Sequence, residues 1–177
     1  NLDKISTKAF LIYIKLLIFS HKTGRITFKL EELEEITGIP KRTVQQHLQD
    51  LVKIKVLDKK RANRKKGETY TYFISKFVSN NYGFTKVNVN SILRLIDLIN
   101  YKKLNPTQFA LCLYLKYRCY GDTDSCFLAQ ITLGNALNLT QGAISLAFKN
   151  LEGLELIKRE AEYITDFSFK YNYSIFY

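Results

Sequence analysis

Apolar positions along this chain recur every three to four residues for most of its length and switch to strict alternation in two places. The first block, AFLIYIKLLIF (Ala9 to Phe19), is apolar on nearly every side and predicts a buried helix over about 6–20. RITFK (Arg25 to Lys29) reads as a short strand, and a helix over about 30–37 follows. The turn TGIP (Thr37 to Pro40) then places Gly38 where a left-handed residue is wanted, and a second helix runs over about 41–54. Beyond KVLDKK the period becomes two, through a polar loop into TYTYFIS (Thr69 to Ser75), which predicts a β-hairpin.

The same skeleton returns one hundred residues later. Leu33 matches Leu133, Ile36 matches Ala136, Ile39 matches Leu139 and Val44 matches Ile144. Leu48, Leu51, Ile54 and Leu57 match Phe148, Leu151, Leu154 and Ile157. One small unit is therefore built twice. In the second copy the helices are expected at about 106–120, 130–137 and 141–152, with a strand near Ser125 to Leu128. Asn105 and Thr140 are the natural N-caps, Pro106 suits the first helical position, and Asn138 takes the place of Gly38. Phe167, Phe169, Tyr171, Tyr173 and Ile175 alternate onto one face of the final strand. The expected fold is mainly α with small β-hairpin wings: two winged helix-turn-helix domains, 1–84 and 85–177. Between the copies, NVNSILRLIDLIN (Asn88 to Asn100) predicts a linking helix capped by Asn90 or Ser91. Its apolar face (Ile92, Leu95, Ile96, Ile99) can dock the domains, seam a dimer or pack within its own domain; the last is the simplest reading.

Charge separates the copies. The chain carries a formal net +11, of which residues 1–84 hold +9 (17 Lys/Arg against 8 Asp/Glu) and residues 85–177 only +2 (10 against 8). A strongly basic half points to a polyanionic partner. In KRTVQQHLQDLVK, Val44, Leu48 and Leu51 make the buried stripe, so Arg42, Gln46, Gln49 and Lys53 fall opposite, with Gln45 beside them. Arg and Gln side chains match guanine and adenine edges in the major groove. Lys41, Thr43 and the helix N-terminus are placed to meet phosphate. In the wing, Lys59, Lys60, Arg61, Arg64, Lys65 and Lys66 crowd into eight residues, an arrangement favoured when it lies along a phosphate backbone. His47 sits at the edge of the buried stripe and reads as structural.

The second copy has lost these cations. Gln141, Gly142, Ala143, Leu146 and Gly153 stand where Lys41, Arg42, Thr43, Gln46 and Lys53 stand in the first. Glu160, Glu162 and Asp166 replace Lys60, Ala62 and Lys66. Leu146 and Ala147 on a nominally exposed face, with the aromatic last strand, suggest a protein-facing surface. Gln141, Ser145, Lys149 and Asn150 keep an auxiliary DNA contact open.

Cys112, Cys119 and Cys126 lack metal-ligand spacing, and Cys112 and Cys119 read as small apolar side chains packed on a helix. Unpaired thiols favour a reducing cytoplasm. Lys15 interrupts Ala9 to Phe19 and no cleavage pattern follows, so the segment reads as a core helix and neither a signal peptide nor a membrane span. The sequence lacks an initial Met, so residues before Asn1 are expected. No Gly-rich phosphate loop, metal cluster or nucleophile constellation is evident, so no enzyme, metal, cofactor or small-molecule substrate is expected.

TGIPKRTVQQHLQDLVKIKVL resembles the helix-turn-helix of winged-helix regulators and replication proteins of plasmids and phages, with Thr-Val opening the reading helix and Leu-x-x-Leu within it. Two such domains joined by a short helix resemble the tandem winged-helix initiators of bacterial plasmid replication. The resemblance implies one domain on repeated double-stranded DNA sites while the other contacts DNA or dimerises. A homodimer through the second domain or the linking helix, and no membrane partner, are the corresponding expectations. The other class kept open is a tandem winged-helix adaptor for protein contacts, such as a chromosome-condensation accessory subunit.

Overall fold

The computed structural model describes residues 5–20, 25–61, 70–74, 87–119, 125–165 and 168–177. The chain divides into two compact units, Asn1–Gly83 and Phe84–Tyr177. Both are mainly helical with a small antiparallel sheet, the α+β class the pattern predicts.

In the first unit α1 (Thr7–Ser20) supplies the central core helix, burying Ala9, Leu11, Ile12, Tyr13 and Leu16 against α2 (Leu30–Thr37) and α3 (Lys41–Lys53). Leu33 of α2 and Val44, Leu48 and Leu51 of α3 complete that core; each such side chain contributes about 1.5–3 kcal/mol of apolar burial. The turn between α2 and α3 is held locally. Gly38 is left-handed (φ 63°) and its N–H donates to the Glu34 carbonyl at 2.8 Å. The buried Thr37 hydroxyl donates to the Leu33 carbonyl (2.6 Å) and accepts from the Ile39 N–H (3.2 Å). These bonds set the angle at which α3 leaves α2 and so which face it shows to solvent.

The hairpin is joined by the early strand. β1 (Arg25–Phe28) pairs with β3 (Tyr70–Ile74), which pairs with β2 (Leu57–Arg61), giving three antiparallel strands in the order β1-β3-β2. The alternation along the chain shows only the two-stranded hairpin, because a strand of four residues has too few positions to display a partner.

The second unit follows the same plan after an added helix. α4 (Val89–Asn100) precedes α5 (Pro106–Arg118), β4 (Ser125–Leu128), α6 (Gln130–Leu137), α7 (Gln141–Gly153), β5 (Ile157–Thr165) and β6 (Ser168–Ile175), with sheet order β4-β6-β5. Asn105 caps α5 by accepting from the Gln108 N–H, Thr140 caps α7 by accepting from the Ala143 N–H, and Asn138 is left-handed (φ 53°). The cap of α4 differs from expectation. Asn88 holds it, its side chain accepting from the Asn90 N–H, so the helix begins one residue before the candidate Asn90. α4 packs on α5 within its own unit, burying Leu95 and Ile96 and half-burying Ile92 and Ile99.

The repeat extends to a detail that hydrophobic pattern does not display. Lys55 (φ 62°) and Glu155 (φ 54°) are both left-handed, one hundred residues apart, and each is followed by an N–H bond back into its helix, Val56 to Leu51 and Leu156 to Leu151. Neither is Gly or Asn, so the cost of the left-handed region is offset by closing the helix onto the wing.

Two expectations for the second unit are corrected. Ala147 is buried, because it completes the stripe Ile144, Ala147, Phe148, Leu151; only its neighbour Leu146 faces out. Of the last strand's aromatics, Tyr173 is fully buried and stacked on Phe148 (centroids 4.7 Å apart), and Ile175 is buried with it. At those two positions the alternation marks core. Phe167 lies outside the described residues.

Candidate nucleic-acid interface

α3 presents one continuous polar face. Val44, Leu48 and Leu51 turn inward, and Arg42, Gln45, Gln46, Gln49 and Lys53 are all exposed on the other side, with Thr43 half-buried at the margin. The spacing that buries the apolar stripe is what brings these five side chains together.

Contacts within this face divide the residues by readiness. The Lys41 ammonium is paired with the Glu31 carboxylate of α2, with both side chains well exposed (47% and 63%). That hydrogen bond is the main cause holding the Glu31 carboxyl below its usual range. A residue expected to grip phosphate is thus tied to a neighbouring helix, by a contact between positions ten apart that helical periodicity does not reveal. Gln46 donates through Nε2 to Asp50 Oδ1 at 3.2 Å, and His47 Nδ1 lies 3.6 Å from Asp50 Oδ2. His47 is largely covered, as its place at the edge of the stripe implies.

Lys15 carries a signal that sequence reading took for an interruption. Its side chain is buried and its ammonium donates to the Ile36 carbonyl, in the last turn of α2. A cation at a helix C-terminus satisfies a carbonyl that lacks an intrahelical donor and opposes the dipole. The matching Leu115 is also buried but brings no charge.

On the wing, Leu57 points inward while Asp58, Lys59 and Lys60 are exposed. The Lys60 ammonium stands 5.1 Å from the centre of the Phe73 ring, a cation–π contact that holds it beside β3. Arg61 is placed by its backbone at the end of β2, opposite Tyr70. Arg64, Lys65 and Lys66 lie outside the described residues.

Residues 3–54, from the start of α1 to the end of α3, match the family model described as Helix-turn-helix domain. That stretch of the first unit is similar to a helix-turn-helix domain. In such domains the second helix of the motif enters the major groove, so the match points to DNA binding. Comparison with curated proteins returned no match.

The second unit is chemically different at matching positions. Gln141, Ser145 and Lys149 are exposed on α7, but Leu146 (69% exposed) stands among them where Gln46 stands in α3. Asn150, a candidate base contact, instead donates through Nδ2 to the Lys103 carbonyl at 3.2 Å, tying α7 to the α4–α5 connection. Arg159, matching Lys59, is held by Glu152 through two bonds (2.8 and 2.6 Å) and lies 4.9 Å over the Phe148 ring. Lys158 pairs with Glu160 at 2.7 Å. Lys158 and Arg159 are therefore matched internally.

The cysteines pack as the spacing suggests. Cys112 and Cys126 are buried, Cys119 is partly covered, and all three are reduced. Burial pushes the Cys112 and Cys126 thiols up to about 12. Among the described residues no three His, Cys, Asp or Glu side chains converge to hold a metal, and no helix is long and apolar enough to cross a membrane.

Proposed function

We propose that the protein reads double-stranded DNA in a sequence-specific manner on behalf of a mobile element, in plasmid replication initiation or in transcriptional control. The observation that carries this is the outward face of α3, where Arg42, Gln45, Gln46, Gln49 and Lys53 lie together on the second helix of a helix-turn-helix domain. Arg42 and the glutamines read base edges, while Lys41, Lys53 and the wing cations hold phosphate. The role is binding and not catalysis, and its place is the cytoplasm.

The second domain sets assembly in this reading. Leu146 and Ile131, 69% and 66% exposed, favour a protein contact, with a second copy of the chain as the simplest partner. The same two side chains favour the adaptor reading should the first domain fail to bind DNA.

The test is selection from random duplexes at several salt concentrations, repeated with Arg42→Ala and with Lys59 and Lys60 both changed to Gln. Arg42→Ala should cost about 1–3 kcal/mol on the preferred sequence and relax preference at one base pair. The wing change should weaken all sequences alike and flatten the salt slope. Equal losses on random and preferred DNA from both changes would overturn the division between reading helix and wing. A direct repeat in the selected motif indicates an initiator, and a palindrome indicates a dimeric repressor.

A further inference from the structure

A carboxylate on a helix that faces phosphate is unfavourable unless it does something local. Asp50 is such a group: it sits one turn beyond Gln46 on α3, its side chain 46% exposed. It accepts from Gln46 Nε2 at 3.2 Å through Oδ1, and its Oδ2 lies 3.6 Å from His47 Nδ1.

An ionised carboxylate can only accept hydrogen bonds, so it fixes which end of the Gln46 amide turns toward it. The nitrogen faces Asp50 and the oxygen is left for another donor. One N–H of the same amide also remains. An acceptor beside a donor matches adenine, which offers its N6 amino hydrogen and its N7. Guanine offers two acceptors at the same edge, N7 and O6, and matches this orientation poorly. Without Asp50 the amide can turn over and lose that distinction.

The second domain lacks the arrangement. Leu146 occupies the position of Gln46, and Asn150, in the place of Asp50, is engaged with the Lys103 carbonyl. Orientation of a reading side chain is thus a property of the first domain alone among the described residues.

We propose that Asp50 is a positioning residue that holds the Gln46 amide in the orientation selecting adenine over guanine. The inference rests on α3 being the base-reading helix. Its own content is the role of a carboxylate that would otherwise oppose DNA.

The experiment is duplex selection and sequencing with the full chain, run for wild type, Asp50→Ala, Asp50→Asn, Gln46→Ala and the Asp50→Ala/Gln46→Ala double variant. Wild type should enrich a motif with adenine at the step read by Gln46. Asp50→Ala should lose roughly tenfold in preference at that step and leave the other steps unchanged. Asp50→Asn, whose amide can donate as well as accept, no longer fixes the Gln46 amide and should lose part of the same preference. Gln46→Ala should lose the same step, and adding Asp50→Ala should change it no further.

If Asp50→Ala and Asp50→Asn both merely tighten binding to every sequence, with the motif intact, the carboxylate is only a repelling charge and the proposal is overturned. A further change of preference in the Gln46→Ala background overturns it too, because Asp50 then acts by another route. A wild-type pool with no motif removes the base-reading role of α3 itself, and the proposal falls with it.

Discussion

Glu31→Gln removes the carboxylate that holds Lys41 and should strengthen DNA binding. The pair is exposed on both sides, so it competes with water and with any phosphate that approaches the start of α3. Releasing Lys41 adds at most one phosphate contact. Each such contact releases counterions with a salt slope of about 0.9, so one more contact is worth up to about fivefold in affinity at about 0.15 M salt and about eightfold at about 0.1 M. Acid would do the same in principle. The folded carboxyl is held below its usual range chiefly by the Lys41 hydrogen bond. The pair therefore persists above the ordinary carboxylate value and is lost only as pH falls through the lowered one. At neutral pH substitution is the way to release it. Fluorescence anisotropy of a labelled duplex, titrated at four salt concentrations, measures both affinity and slope. Glu31→Gln should bind more tightly and more steeply with salt, and Lys41→Ala should abolish the gain. An equal gain in the Lys41→Ala background would show that Glu31 acts only as a distant negative charge, and the competition argument would be wrong.

Further outcomes follow from the second unit. A methyl group on Gly134 would sit 2.8 Å from the Leu139 carbonyl oxygen, so Gly134→Ala should destabilise by about 1–3 kcal/mol in urea unfolding. Gly142 has open space around it, so Gly142→Ala should stabilise α7 by roughly 0.5–1 kcal/mol, and the opposite order would refute the packing described for the α6–α7 turn. Arg159→Lys gives up the forked contact with Glu152 and the stacking on Phe148, and a loss of about 1–2 kcal/mol is expected; unchanged unfolding would mean that the pair contributes nothing. Cys112 and Cys126, raised by burial from 9.0 to about 12, should resist iodoacetamide at neutral pH while the partly covered Cys119 reacts first, as read by mass spectrometry. Because the folded thiols stay neutral after the unfolded ones ionise, stability should hold below pH about 9 and fall as pH rises toward about 12.

The doubled plan, the helices, the left-handed turns at Gly38 and Asn138, and the polar face of α3 are all legible in the residue pattern. Those features depend on neighbours within a few positions, where helical spacing and capping chemistry act, so one-dimensional pattern displays them. The copies also fold alike where their skeletons match, as Val44 and Ile144, or Leu51 and Leu151, are buried alike. Which polar groups are engaged depends instead on how elements distant along the chain pack together. Lys41 meets Glu31 across two helices, Lys15 reaches the Ile36 carbonyl, and Arg159 closes on Glu152 across the junction of α7 and β5. The early strand's place beside β3, joining Arg25 to Phe73, was likewise invisible. These pairings join positions 7 to 48 apart, and any cation in a basic sequence has several carboxylates within that reach. Chain folding chooses among them by the angle at which one element leaves the next, a quantity that residue type alone does not carry.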